Sequence, residues 1–191
     1  MRKLIVFNNV SLDGYFTDAK GRMDFARNNI PDADWDAFVA GNASGSGGIL
    51  ILGRITYDLM ASFWPTPFAL ENMPLVARRM NEYPKLVFSR TMEKADWSNT
   101  RVTNNDPAVE IQRLKNEAGE GMMIFGSGSI ITQLAPRGLI DEYQIIVNPV
   151  VLGGGRTMFE GIREMLHMEL IKSRTFANGN VLLCYEQISA G

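Results

Sequence analysis

Ile49-Leu50-Ile51-Leu52-Gly53-Arg54-Ile55-Thr56-Tyr57-Asp58-Leu59-Met60 holds one strand, one turn and the start of one helix. The four apolar residues are too short for a buried helix and suit a strand covered on both faces. Gly53 opens a turn, and Leu59, Met60 and Phe63 then fall at helical spacing on an apolar stripe. Trp64-Pro65-Thr66-Pro67 stops that helix, because proline removes a backbone donor and clashes with the preceding turn.

The same alternation extends in both directions. Leu4 to Phe7 reads as a strand leading through polar residues to Asp13-Gly14, and Asp34 to Val39 as a short helix dissolving into the glycine-serine run Gly41 to Gly48. Asn72 to Glu82 is helical and Lys85 to Phe88 a strand. Asp106-Pro107 supplies an N-cap and a proline at the first helical position, opening a helix through Ala118 that Gly119 ends. Met122 to Phe125 is a strand, Ser127 to Leu134 a helix, and Ile140 to Val151 a long strand carrying Pro149. Leu166 to Phe176 and Val181 to Ile188 flank Asn178-Gly179, a hairpin-turn pair. Strands alternating with helices specify parallel βαβ units, and the last two strands add an antiparallel hairpin. The expectation is one α/β domain over residues 1–191, with a mixed sheet and helices on both faces.

Composition narrows the chemistry. The 191 residues include one cysteine and one histidine, with 19 Lys plus Arg against 21 Asp plus Glu. That balance lacks the basic footprint of a dedicated nucleic-acid binder. Cys184 has no partner for a disulfide within the chain, and multi-ligand Cys/His zinc sites cannot be assembled. Any serine or cysteine nucleophile would have to rely on His167, which lies in the alternating, strand-like Leu166 to Ile171. No segment has the apolar length of a membrane span, and Met1 to Phe7 lacks a signal peptide's apolar region, so the expected location is the cytoplasm.

In open α/β sheets, ligands bind beyond the carboxyl ends of strands. Three such places combine glycine, hydroxyl and guanidinium groups: Gly53, Arg54 and Thr56; Ser89 and Arg90; and Gly126, Ser127, Gly128 and Ser129. Together they suit a diphosphate ligand with an extra phosphate, such as NADPH. The Rossmann fingerprint is incomplete, because the third glycine of G-x-G-x-x-G is missing after Gly126-Ser127-Gly128. A nicotinamide nucleotide would therefore sit on a different α/β scaffold.

Several ordered stretches point to one family: Val10 to Gly14, Leu52 to Met60, Phe63-Trp64-Pro65, Pro84 to Thr91, Phe125 to Gly128, Leu139 to Tyr143 and Pro149 to Gly155. They resemble the dihydrofolate reductase-like superfamily, and within it the RibD C-terminal family of riboflavin-biosynthesis reductases in a short stand-alone form. The resemblance implies a three-layer α/β/α fold with a mixed, mostly parallel sheet and a C-terminal antiparallel hairpin. It implies NADPH across the strand ends, with Gly53, Arg54 and Thr56 facing its phosphates. Ser89 and Arg90 fall near the 2′-phosphate, and Gly126, Ser127, Gly128 and Ser129 around the pyrophosphate.

The reducible ring then falls near Asp13, the catalytic candidate for supplying or relaying a proton, with Asp18, Asp24 and Asp32 as further carboxylates nearby. The implied activity is hydride transfer to a small pterin- or pyrimidine-like substrate, as in 5-amino-6-(5-phosphoribosylamino)uracil reductase. The alternative is a catalytically silent nucleotide-binding sensor on the same fold. The family commonly forms homodimers. One departure bears on the substrate: riboflavin reductases often carry an acidic residue before the glycine turn, where this chain has Phe125.

Overall fold

In the computed structural model, which describes residues 1–27, 30–45 and 48–188, apolar runs form strands where the sequence places them, with informative exceptions. Strand β1 (Leu4–Ser11) leads to the short β2 (Tyr15–Thr17) and then to helix α1 (Ala33–Gly45). Next come β3 (Ile49–Gly53), α2 (Arg54–Ala61), α3 (Pro67–Asn72), α4 (Pro74–Glu82), β4 (Lys85–Phe88), β5 (Thr100–Thr103) and α5 (Pro107–Lys115). The chain continues through β6 (Met122–Phe125), α6 (Gly128–Leu134), β7 (Glu142–Asn148), β8 (Arg156–Thr157), β9 (Met168–Thr175) and β10 (Val181–Gln187).

Eight strands form one sheet in the order β5-β4-β3-β6-β1-β7-β10-β9, while β2 and β8 pair separately. The six strands from β5 to β7 are parallel; β10 runs antiparallel to both β7 and β9. Alternation along each strand divides the core between the two faces. Leu4, Val6, Ile51, Leu86 and Ile124 pack on one face with Ala108 and Ile111 of α5 and Ile131 of α6. Leu50, Leu52, Val87 and Met123 point the other way, toward Tyr57 of α2 and Met80 of α4. On that second face, Ile146 and Leu182 meet Trp35 and Phe38 of α1. Helices thus cover both sides of a mixed, mostly parallel sheet.

Capping explains several boundaries. The Asp106 side chain accepts hydrogen bonds from the Ala108 amide at 2.8 Å and the Val109 amide at 3.2 Å, ahead of Pro107. Trp64 to Pro67 does more than stop a helix: Thr66 accepts from the Ala69 amide at 3.2 Å and starts α3. Pro74 then starts α4, so the single helix expected over Asn72 to Glu82 begins two residues later, behind a separate helix. Strand β1 runs four residues past Phe7, because Asn8 and Ser11 bury their polar groups in hydrogen bonds.

Other elements also differ from expectation. Helix α1 continues through Gly45 into the glycine-serine run, whose Ser46 and Gly47 lie outside the described residues. Helix α5 stops at Lys115, short of Ala118. Strand β7 stops at Asn148, so Pro149 begins a loop and its missing N–H interrupts no ladder. Strand β5, Thr-Arg-Val-Thr, has no apolar run to announce it; it is an edge strand paired only with β4.

Candidate functional site

The sheet order makes neighbours of β3 and β6, although their ends are more than 70 residues apart in sequence. At their carboxyl ends the turns Gly53 to Thr56 and Gly126 to Ser129 interlock. The Gly53 amide donates to Ser127 Oγ at 2.7 Å. Thr56 Oγ1 accepts from the Ser127 amide at 3.2 Å and from the Ser127 hydroxyl at 3.1 Å. Gly126 and Ser127 both adopt left-handed backbone, φ +59° and +58°, which turns the chain sharply from β6 into α6. Glycine is required at 126 by close approach as well: a Cβ there would lie 2.8 Å from Thr56 Oγ1.

Asn8, from the central strand, fixes the same turn from the other side. Its Oδ1 accepts from the Gly126 amide at 2.7 Å, and its Nδ2 contacts the Gly126 carbonyl at 3.4 Å and Met158 Sδ at 3.1 Å. Asn8 is 2% exposed, so these bonds satisfy groups that water does not reach. The sequence reading did not single it out. The signal was present as a polar Asn8-Asn9 pair immediately after an apolar strand run.

Beside this turn lies a polar cleft of about 290 Å³ between the end of β4 and the start of α6, lined by Ser89, Arg90, Asn105, Asp106, Ser129 and Gln133 among others. Three expected residues, Ser89, Arg90 and Ser129, are thereby brought together. Ser89 Oγ accepts from the Thr91 and Met92 amides at 3.2 and 2.9 Å, which orients the loop that carries Arg90. Arg54 stands apart from this cleft's lining, on α2, where it pairs with Asp58 at 3.0 Å. Both partners of that ion pair are about half exposed, so the pair is weak and exchangeable.

Asp13 sits beyond the ends of β1 and β7. Its Oδ1 accepts from the Ser11 hydroxyl at 2.6 Å and the Leu152 amide at 3.1 Å, and its Oδ2 from the Gly153 amide at 2.8 Å. These donors, the Ser11 hydroxyl foremost, hold its pKa down to about 2. Asp13 is thus ionised at neutral pH and pins the loop after β1 to the loop after β7. The β2–β8 pairing reinforces the same junction. Gly155 allows it, since a Cβ at its φ of +150° would come within 1.9 Å of the Thr17 carbonyl oxygen.

The other carboxylates are engaged locally. Asp18 closes its own turn onto the Lys20 and Arg22 amides. Asp24 stands in an exposed ion pair with Arg22. Asp32 caps α1 through the Asp34 and Trp35 amides and reaches the Asn178 amide of the final hairpin. His167 is exposed, one residue before β9, and the thiol of buried Cys184 is pushed up in pKa by burial. On the helix α1 side of the sheet, Phe125 meets Phe7 edge to face at 5.7 Å, and Phe7 meets Phe38 at 6.3 Å. The position where riboflavin reductases often carry an acid is therefore part of an aromatic wall.

Comparison with known proteins agrees with this architecture. Uncharacterized protein YyaP of Bacillus subtilis (strain 168) is 28% identical over 185 residues, covering 96% of this chain and 94% of the relative. YwjB of the same organism is 24% identical, covering 92% of each. A Shewanella sp. PV-4 structure described as a riboflavin biosynthesis protein superposes with a TM-score of 0.73 at 25% identity, covering 98% of this chain and 99% of that one. A pyrimidine reductase-like protein from Corynebacterium diphtheriae gives 0.67 at 13% identity, covering 99% and 93%. Acinetobacter baumannii RibD gives 0.63 at 16% identity, where the match covers 98% of this chain and 58% of the larger protein. The sheet and its neighbours are of the dihydrofolate reductase-like kind. The RibD C-terminal domain model matches residues 2–182, and the chain belongs to that family.

Proposed function

We propose that this protein is an NADPH-dependent reductase of a small planar heterocycle, pterin- or pyrimidine-like. The observation that carries the reading is the left-handed Gly126-Ser127 turn, locked onto Gly53 and Thr56 and adjoining a cleft that holds Arg90. A dinucleotide with a 2′-phosphate needs a backbone turn for its pyrophosphate and a cation for the extra phosphate. The residues present fit that ligand. The backbone from Gly126 to Ser129 would hold the pyrophosphate, and Ser89 and Arg90 the 2′-phosphate. Arg54, exchanged from Asp58, would serve the bridging phosphates. When bound, the nicotinamide supplies hydride.

The protein's own part is positioning. Ionised Asp13 orders the two loops that flank the reacting ring and accepts hydrogen bonds, so its share of the proton path is to orient or relay. Leu12 and Val151, 66% and 65% exposed, border this clamp and would exclude water from the ring once a ligand covers them. The partly buried rings of Phe7, Phe38 and Phe125 would supply the aromatic surface for a planar substrate. Family membership and the pyrimidine reductase-like neighbour support the reductase class.

One observation favours the alternative of nucleotide binding without turnover: Asp13 is ionised and Phe125 is apolar, so neither offers a protonated acid. Fluorescence titration with NADPH and NADH tests the cofactor assignment. Arg90→Ala should weaken NADPH about tenfold or more while leaving NADH within about twofold, as expected for one charge-assisted contact. Equal losses for both nucleotides would refute the Arg90 assignment, and an absence of NADPH binding at millimolar concentration would refute the reductase reading.

A further inference from the structure

A second cavity, of about 310 Å³, lies at the other end of the sheet. It opens on the face that carries α5 and α6, between the start of β7, strands β9 and β10, and the segment that leads into β9. Tyr143, Ile145, Phe159, Ile162 and Tyr185 give it a mostly apolar, aromatic lining, and exposed Glu164 stands among the lining residues. Its lining reaches along β7 as far as Ile145, three residues or roughly 10 Å at strand rise before Asn148, where the strand ends near the Asp13 clamp. None of the residues assigned above to cofactor or substrate lines it.

Two features make this cavity more than a packing gap. Its volume lies at the lower end of the range for small-molecule sites, about 300–1,000 Å³, far larger than the voids of a close-packed core. It is also lined by Tyr143, only 1% exposed, whose hydroxyl has no hydrogen-bond partner among the described residues. A buried phenol without a partner is costly, and the phenol stays protonated because burial raises its pKa. The hydroxyl can therefore donate. The hydroxyl oxygen is itself covered, and a ligand would reach it by repacking the lining, which includes the flexible thioether of Met168.

We propose that this cavity is a second ligand site, taking a small, planar, uncharged aromatic molecule with one hydrogen-bond acceptor for Tyr143. The aromatic lining selects the planar body and the phenol selects the acceptor. The Glu164 carboxylate disfavours anions, which sets this ligand apart from the phosphate-bearing one assigned to the opposite end of the sheet. The inference does not depend on the reductase reading, since neither cavity shares a residue with the other.

The test uses the full chain with quinoline, and with naphthalene as the isostere lacking the ring nitrogen. Binding is followed by chemical shifts of the amides around Ile145 and Tyr185, with and without saturating NADPH. Quinoline should bind saturably in both conditions. Tyr143→Phe should weaken quinoline about fivefold, the worth of one neutral hydrogen bond, and leave naphthalene within about twofold. Ile162→Trp, which fills the cavity, should abolish both, and a quinoline soak into wild-type crystals should place the ligand against Tyr143 should that variant fail to fold.

The proposal is overturned by an absence of saturable binding, by displacement of quinoline by NADPH, or by equal weakening of both probes in Tyr143→Phe. It is equally overturned by a wild-type dimer that buries this cavity and dissociates in Ile162→Trp, which would make a second copy its occupant.

Discussion

Replacing Gly126 with alanine separates backbone strain from steric conflict at the centre of the candidate site. An L-residue in left-handed backbone costs about 1–2 kcal/mol. Stiffening of the unfolded chain returns about 0.4–1 kcal/mol of that. The net backbone effect is therefore near 1 kcal/mol. Gly138 provides the internal control: its φ is +62°, close to the +59° of Gly126, and a Cβ there would meet nothing within 4 Å. At Gly126 the new methyl would lie 2.8 Å from Thr56 Oγ1 and 2.9 Å from Thr56 Cγ2, too close for either atom to stay in place. Overpacking of this kind adds about 1–3 kcal/mol. Gly126→Ala should then cost about 2–4 kcal/mol and Gly138→Ala about 1 kcal/mol.

Urea unfolding reads the difference, and for a chain of this length each kcal/mol also lowers Tm by about 2–4 °C. In a Thr56→Ala background, where both offending atoms are gone, the two glycine substitutions should cost nearly the same. Displacement of Thr56 also loosens its bonds to Ser127, so Gly126→Ala alone should weaken NADPH binding and Gly138→Ala should not. Equal destabilisation by the two substitutions in the otherwise unchanged chain would refute the argument that Thr56 and Gly126 are in obligatory close contact.

Two further outcomes follow from titratable groups. Lys85 is 2% exposed, lies over the Trp97 ring at 4.2 Å and donates to the carbonyls of Asn81, Tyr83 and Ser98; burial lowers its pKa from 10.5 to about 8. Between those pH values the unfolded chain holds a proton that the native chain has released, so stability rises with pH, by about 3 kcal/mol at most. Subtracting the unfolding free energy of Lys85→Met at each pH isolates that slope, and a flat difference from pH 8 to 10.5 would refute it. Asp13, with its pKa lowered to about 2, keeps its loop clamp above the ordinary carboxylate range and loses it as pH falls from about 4 through 2. Asp13→Asn should speed hydrogen exchange at the Leu152 and Gly153 amides and lower turnover while leaving NADPH affinity within about twofold; unchanged exchange and turnover would reduce Asp13 to an ordinary turn residue.

The parts of the site that could be read from sequence are those where punctuation follows an apolar run at a strand's end. Gly53 after Leu52, Ser89 after Phe88 and Gly126 after Phe125 all announce a turn at the edge where ligands bind, and the structure puts all three at that edge. What brings Gly53 and Gly126 into contact is strand order, and no local periodicity encodes which strands become neighbours. Asn8 escaped notice because alternation treats a polar residue as a strand's end. A buried asparagine continues the strand instead, so long as another backbone turn saturates its side chain. Strand β5 escaped because an edge strand of threonines and arginine looks like a loop until β4 lies beside it. For Asp13 the dipeptide announced the turn, but its role as a clamp depends on the amides of Leu152 and Gly153, about 140 residues away.

The sheet order also carries a history. Strand β1 is made first, yet its two neighbours are β6 and β7, whose residues begin at Met122 and Glu142. While the chain emerges, β3, β4 and β5 can join one another in succession, whereas β1 waits more than a hundred residues for either flank. Such long-range closure slows folding, because loop entropy is lost before any contact repays it. The Asn8–Gly126 bond can form only at that closure, so the turn proposed to receive the cofactor is absent from any nascent chain that has not yet inserted its sixth strand.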